Sequence, residues 1–170
     1  MPHLVAPGPD KKQLDLILNA GMRAPDHGGL TPWHFLIVEG SGLARMSEIL
    51  VNAATAKNFD QTKLAKVKNM PFRAPMIIVV STRYQTHPKV PQQEQLLAAG
   101  CCVHAMQLAG FSLGLGGVWR TGEFSYDDQV KQQLGINSNE EIVGFLYLGT
   151  KAKSQAEKPA KSFQNYVSYL

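Results

Sequence analysis

Two periods of hydrophobic and polar alternation run along this chain. Leu14, Ile17, Leu18 and Met22 recur at helical spacing behind Asp10, a residue suited to an N-cap. Residues 10–22 therefore read as an amphipathic helix ending near Pro25. Trp33–Val38 reads as a strand. Leu43, Met46, Ile49, Leu50 and Ala53 share one face of a second helix, opened by Ser41 or Gly42 and running to about Ala56. The Lys-rich residues 60–69 read as a short exposed helix. Ala74-Pro75 then introduces Met76–Val80, a continuous apolar run rich in β-branched residues and suited to a central strand.

Beyond a loop at 84–90, Pro91 starts a long helix that runs to about Leu113. This helix is apolar nearly all round, which demands cover on every side, in a core or at a subunit interface. Gly114, Gly116 and Gly117 end it. Val118–Thr121 reads as a short strand or extended loop, Tyr126–Leu134 as a small helix stopped by Gly135, and Ile142–Leu148 as another strong strand. The polar, basic stretch Lys151–Ala160 leads to Phe163–Leu170, whose alternation suits a strand added to a neighbouring sheet, including a partner's. Helices and strands interleave, which predicts an α+β or α/β fold with a small mixed sheet.

A length of 170 residues allows a single domain with a real core, taken here as 1–170. Hydrophobic residues make up 44% and charged residues 18%, which leaves apolar surface available for an oligomer interface. The formal net charge is +4, but no basic patch is interleaved with aromatics, so the reading excludes nucleic acid as a partner. A small positive field suits an anionic ligand. No apolar run is long enough to span a bilayer, and the first residues lack the layout of a secretory signal. Adjacent Cys101 and Cys102 are read as reduced thiols of a cytoplasmic protein.

The densest chemistry lies in Arg23-Ala-Pro-Asp26-His27, followed by Pro32-Trp33-His34. A cation, a carboxylate and an imidazole sit in a Gly/Pro-rich loop just ahead of a rigid strand, as a binding site for a polar, planar group requires. A second candidate stretch is Trp119-Arg120-Thr121, where an indole, a guanidinium and a hydroxyl can hold phosphate or ring carbonyls. The glycines at 114–117 end a helix and open a strand, the reverse of a dinucleotide fingerprint. The histidines lack zinc-site spacing, so no metal site is expected. No Gly-x-Ser-x-Gly elbow exists, and neither cysteine has an electropositive flank, so nucleophilic catalysis is disfavoured.

Several pieces taken in order resemble one family. They are Arg23-Ala-Pro-Asp-His27, Pro32-Trp-His-Phe35, His87-Pro-Lys-Val-Pro-x-x-Glu94, Ala99-Gly-Cys, Gly116-Gly-Val-Trp-Arg-Thr-Gly122 and Val143-Gly-Phe-Leu-Tyr-Leu-Gly149. Together they resemble the nitroreductase family, most of all its short, minimal bacterial branch, from about residue 4 to 170. The resemblance implies a nitroreductase-like α+β fold with a central mixed, mainly antiparallel sheet flanked by helices and a C-terminal strand exchanged with the partner of a homodimer. It implies non-covalent FMN at the dimer interface and ping-pong hydride transfer from NADH or NADPH to nitroaromatic, quinone or related small-molecule acceptors. Carried over by position, Arg23 and His27 match flavin-binding positions, and Trp119, Arg120 and Thr121 match a second flavin-binding stretch from the other subunit. No protein acid or base is expected to be required, so no catalytic residue is assigned.

The family's members carry an Arg-Arg-Ser-x-Arg motif on a first helix, where it grips the FMN phosphate. Met1-Pro-His-Leu4 aligns just beyond that motif, and the sequence has no equivalent. Each lost charge-assisted contact is worth roughly 1.5–3 kcal/mol, so weakened FMN binding is expected. The alternative is a dimeric binding or interaction protein of the same fold that holds flavin weakly or not at all. A third reading has the Arg23–Asp26–His27 cluster act directly on a small molecule.

Overall fold

A computed structural model of the chain describes residues 4–153 and 159–170. Residues 154–158, within the polar stretch Lys151–Ala160, lie outside the described residues, as do 1–3. The elements are β1 (Leu4–Val5), α1 (Lys11–Gly21), β2 (Trp33–Glu39), α2 (Ser41–Ala56), α3 (Gln61–Lys68), β3 (Met76–Thr82), α4 (Gln92–Ser112), β4 (Gly116–Arg120), α5 (Asp128–Gln133) and β5 (Ile142–Lys151). Single 3₁₀ turns precede β2, β3 and α5 and occupy Gln164–Tyr166.

The last strand lies at the centre of the sheet. β5 pairs with β3 over Ile142–Leu148, with β4 over Phe145–Gly149 and with β1 at Thr150 and Lys151, while β2 flanks β3. Because β5 is inserted between β3 and β4 and runs opposite to both, every described pairing is antiparallel. The mixed sheet expected from sequence thus reduces to its antiparallel part.

Alternation in β3 and β5 builds two cores, one on each face. Ile77, Val79, Phe145 and Tyr147 point towards α2, where Met46, Ile49, Leu50 and Ala53 meet them. Ile78, Val80, Leu146 and Leu148 point the other way, towards Val103 and Met106 of α4 and Ile17 of α1. Both faces of β3 are therefore buried, which is why Met76–Val80 reads as an unbroken apolar run. α1 starts in a capping box: Asp10 accepts from the backbone N–H of Gln13 at 2.8 Å, and Gln13 accepts from that of Asp10 at 3.0 Å. At its other end α1 approaches α4 so closely that a Cβ on Gly21 would stand 2.8 Å from Met106 and 2.9 Å from Cys102.

α4 departs from its expected burial on all sides. Ala98, Ala99, Cys102, Val103 and Met106 are buried, but Leu97, Cys101, Leu108 and Phe111 stand in solvent, Phe111 at 65%. This one chain covers half of a helix whose sequence requires cover all round. Phe163, Tyr166, Val167, Tyr169 and Leu170 are likewise exposed, and Phe163–Leu170 forms no strand with its own sheet. No helix among the described residues is long and apolar enough to cross a membrane.

Asp127 ties α5 to α2. Its carboxylate caps α5 by accepting from Val130 N–H at 2.9 Å and meets Lys57 Nζ at 2.6 Å. Burial pushes this carboxyl up, yet the Lys57 ammonium and the backbone N–H groups outweigh that and hold it below the ordinary carboxylate value. A depressed value in the folded state means stability that is complete above the unfolded value, near pH 4, and is lost as pH falls through the folded one. Asp127→Ala is expected to cost about 1–2 kcal/mol in urea unfolding at neutral pH. The gap from wild type should narrow when the same measurement is made in acid.

Candidate functional site

β4 distributes the second candidate stretch over both faces of the sheet. Trp119 faces α4 and Arg120 faces α2, because successive side chains of a strand alternate. The Trp119 Nε1–H donates to the carbonyl of Val143 at 3.2 Å. The indole lies against bare backbone at Gly144: a Cβ there would collide with its Nε1 and stand 2.5 Å from its Cδ1. At the far end of the ring, a Cβ on Gly100 would lie 3.9 Å from Cη2. Gly144 on β5 thus makes the room the indole needs, while at Gly100 on α4 a Cβ would meet the ring only at ordinary contact distance.

That indole walls an open cavity of about 680 Å³, a volume in the usual range for a cofactor site. Leu97, Gly100 and Leu108 of α4 form one side, and Thr121, Tyr126 and Glu141 supply polar groups. Glu141 is held by the Tyr84 hydroxyl, which donates to it at 3.0 Å. Burial first, and Glu141 second, raise the Tyr84 phenol above its ordinary value. His104 is exposed and lines this cavity.

On the other face, Arg120 and Thr121 line an enclosed chamber of about 120 Å³ together with Arg73 and Tyr147. Burial raises the Tyr147 phenol, against the opposing pull of Arg73 and Arg120. Arg73 also opens onto a basic groove beside Lys66 and Asn69.

The first candidate stretch stands apart from both cavities. Arg23 is exposed on the turn that ends α1 and lines neither of them. His27 is exposed too, with Nδ1 2.7 Å from Glu94 Oε2. Asp26 holds the turn by accepting from Thr31 N–H. Pro25 alone connects this stretch to the larger cavity. His34 lies elsewhere, at the start of β2, where burial lowers its imidazole, aided by Arg83 and opposed by Glu140. Cys102 is pushed up to about 12 by burial and by neighbouring Cys101, so it remains an inert thiol.

Sequence reading missed Arg73, the Tyr84–Glu141 pair and the Glu94 contact. Glu94 stood in the motif after Val90-Pro91, and its spacing on a helix start was the available signal. Arg73 carries no local signal, because its neighbours Arg120 and Tyr147 are distant in the chain.

The chain matches the Nitroreductase family over residues 5–150. It is 46% identical over 148 residues to a protein of Escherichia coli strain K12 named "Putative NAD(P)H nitroreductase YdjA", covering 87% of this chain and 81% of that one. The chain belongs to the nitroreductase family. A Haemophilus influenzae protein named "Putative NAD(P)H nitroreductase" is 35% identical over 169 residues, covering 98% of this chain and 92% of that one. Among solved structures, a nitroreductase-like family protein from Bacillus cereus superposes with a TM-score of 0.85 at 22% identity, covering 100% of this chain and 90% of that one. A nitroreductase with bound FMN from Bacteroides fragilis superposes with a TM-score of 0.71 at 23% identity, covering 99% and 92%. These likenesses establish the nitroreductase fold for the chain.

The snug seat of the indole predicts the effect of one methyl group in this nitroreductase-family chain. Gly144→Ala should displace Trp119 from Val143 and shift its fluorescence, because the added carbon falls on the ring itself. Trp33, the other tryptophan, is buried and serves as the internal reference.

Proposed function

We propose that this chain is an FMN-dependent NAD(P)H oxidoreductase, a single domain that works as a homodimer in the cytoplasm. The observation that carries the reading is the cavity beside Trp119, an apolar slot with an aromatic wall and few polar groups, bordered by the uncovered face of α4. Such a slot fits a planar tricyclic ring, and Gly144 seats the indole beside it. Trp119 offers a ring face, since its N–H is already committed to Val143. Thr121 offers a hydroxyl, while Arg120 lies across the sheet in the chamber it shares with Arg73 and Tyr147.

Arg23 and His27 complete the site from the second subunit. Their distance from the Trp119 cavity in one chain supports that division, as does the exposed apolar stripe Leu97, Cys101, Leu108 and Phe111. The terminal segment Phe163–Leu170, with no place on its own sheet, would lie against the partner. Bound FMN would supply the redox chemistry, taking a hydride from NADH or NADPH and passing reducing equivalents to a nitroaromatic, quinone or related acceptor. One cavity serving both substrates in turn gives ping-pong order. The protein's part is to bind, orient and exclude water, with no side chain assigned as acid or base.

An FMN titration followed by flavin fluorescence, paired with NAD(P)H oxidation in the presence of a quinone, tests this reading. Saturable uptake with turnover is the expected result. Absence of both at excess FMN would leave the same-fold, flavin-free interaction protein as the better account. Leu108→Asp should convert dimer to monomer in light scattering and lower FMN affinity with it, because its side chain is 55% exposed in the single chain.

A further inference from the structure

Glu94 sits in the first turn of α4, where unpaired N–H groups favour a negative charge. Its carboxylate meets His27 Nδ1 at 2.7 Å across 67 residues of sequence, so the fold, and not local geometry, makes the contact. An ionised carboxylate can only accept, which puts the proton on Nδ1. Nε2 then has no hydrogen-bond partner among the described residues, and the side chain is 60% exposed. Neither partner lines the larger cavity of its own chain, so the exposed Nε2 is free to face a ligand held by the other subunit.

From this geometry we infer that Glu94 is a positioning residue. It fixes the ring and tautomer of His27 so that Nε2 is the nitrogen presented to ligand. In the neutral ring that nitrogen is an acceptor, matched to a ligand hydroxyl or imide N–H. The inference rests on the reading of His27 as an FMN-binding residue. A free imidazole favours the opposite tautomer, with its proton on Nε2, so the carboxylate reverses an intrinsic preference.

Long-range ¹H–¹⁵N NMR of His27 in the flavin-free chain, above the pH at which histidines titrate, reads the tautomer directly. The unaltered chain should show Nδ1–H. Glu94→Gln should yield a mixture, since its amide can either accept from Nδ1–H or donate to bare Nδ1. A wild-type ring protonated on Nε2, or a tautomer that Glu94→Ala leaves unchanged, overturns the assignment. FMN titrations of Glu94→Ala, His27→Ala and the double variant form the second arm. Glu94→Ala should weaken FMN binding about 3- to 10-fold in the wild-type background and not at all in the His27→Ala background. Equal losses in both backgrounds overturn the proposed route through His27. If the unaltered chain takes up no FMN, the cofactor reading fails, while the tautomer arm still confirms or overturns the pairing.

Discussion

Eight consecutive residues of β5, Ile142–Gly149, are buried, and that demand organises the molecule. A strand hidden on both faces and both edges must find hydrogen bonds for its backbone on either side and helices above and below. β3 and β4 meet the first need, α2 and α4 the second. The candidate site is a by-product of that solution. Where β5 carries Gly144 in place of a larger residue, its surface dips, and Trp119 settles into the depression. The larger cavity opens between this indole and the uncovered side of α4.

What was legible in the sequence follows from how local each cause was. The extents of α1 and α2 followed from spacing, and the start of α1 also from its cap, since Asp10 binds the backbone three residues on; Asp60 caps α3 in the same way, a signal the Lys-rich composition of 60–69 did not use. β3 was legible because burial on both faces leaves an apolar run. The antiparallel order was not, since it depends on β5 threading between two earlier strands. The half-cover of α4 was legible only as a need for cover, because periodicity says that a face is apolar and not which body lies against it.

The candidate residues divide in the same way. Trp119, Arg120 and Thr121 were found by their side-chain chemistry and by resemblance, but their division between two chambers required the register of β4 on β5. Gln95 shows the converse, a polar residue in an apolar helix with an architectural task. It is 1% exposed, accepts from Gln85 N–H, and donates to the carbonyls of Gln85 and Val90, closing the 84–90 loop from inside. Side-chain amides with every valence satisfied stiffen a loop without titrating.

The register of β4 also has a consequence for how this fold can change over generations. Five residues carry a ring to one face and a guanidinium to the other, with no spare position between them. A single-residue insertion in β4 would turn every following side chain over, sending the cation towards the apolar slot and the ring away from Gly144. Substitutions can therefore tune each chamber separately, whereas length changes strike both at once. Variation in loop length is better tolerated in the connections leading into α5, and the strand itself is locked to its count.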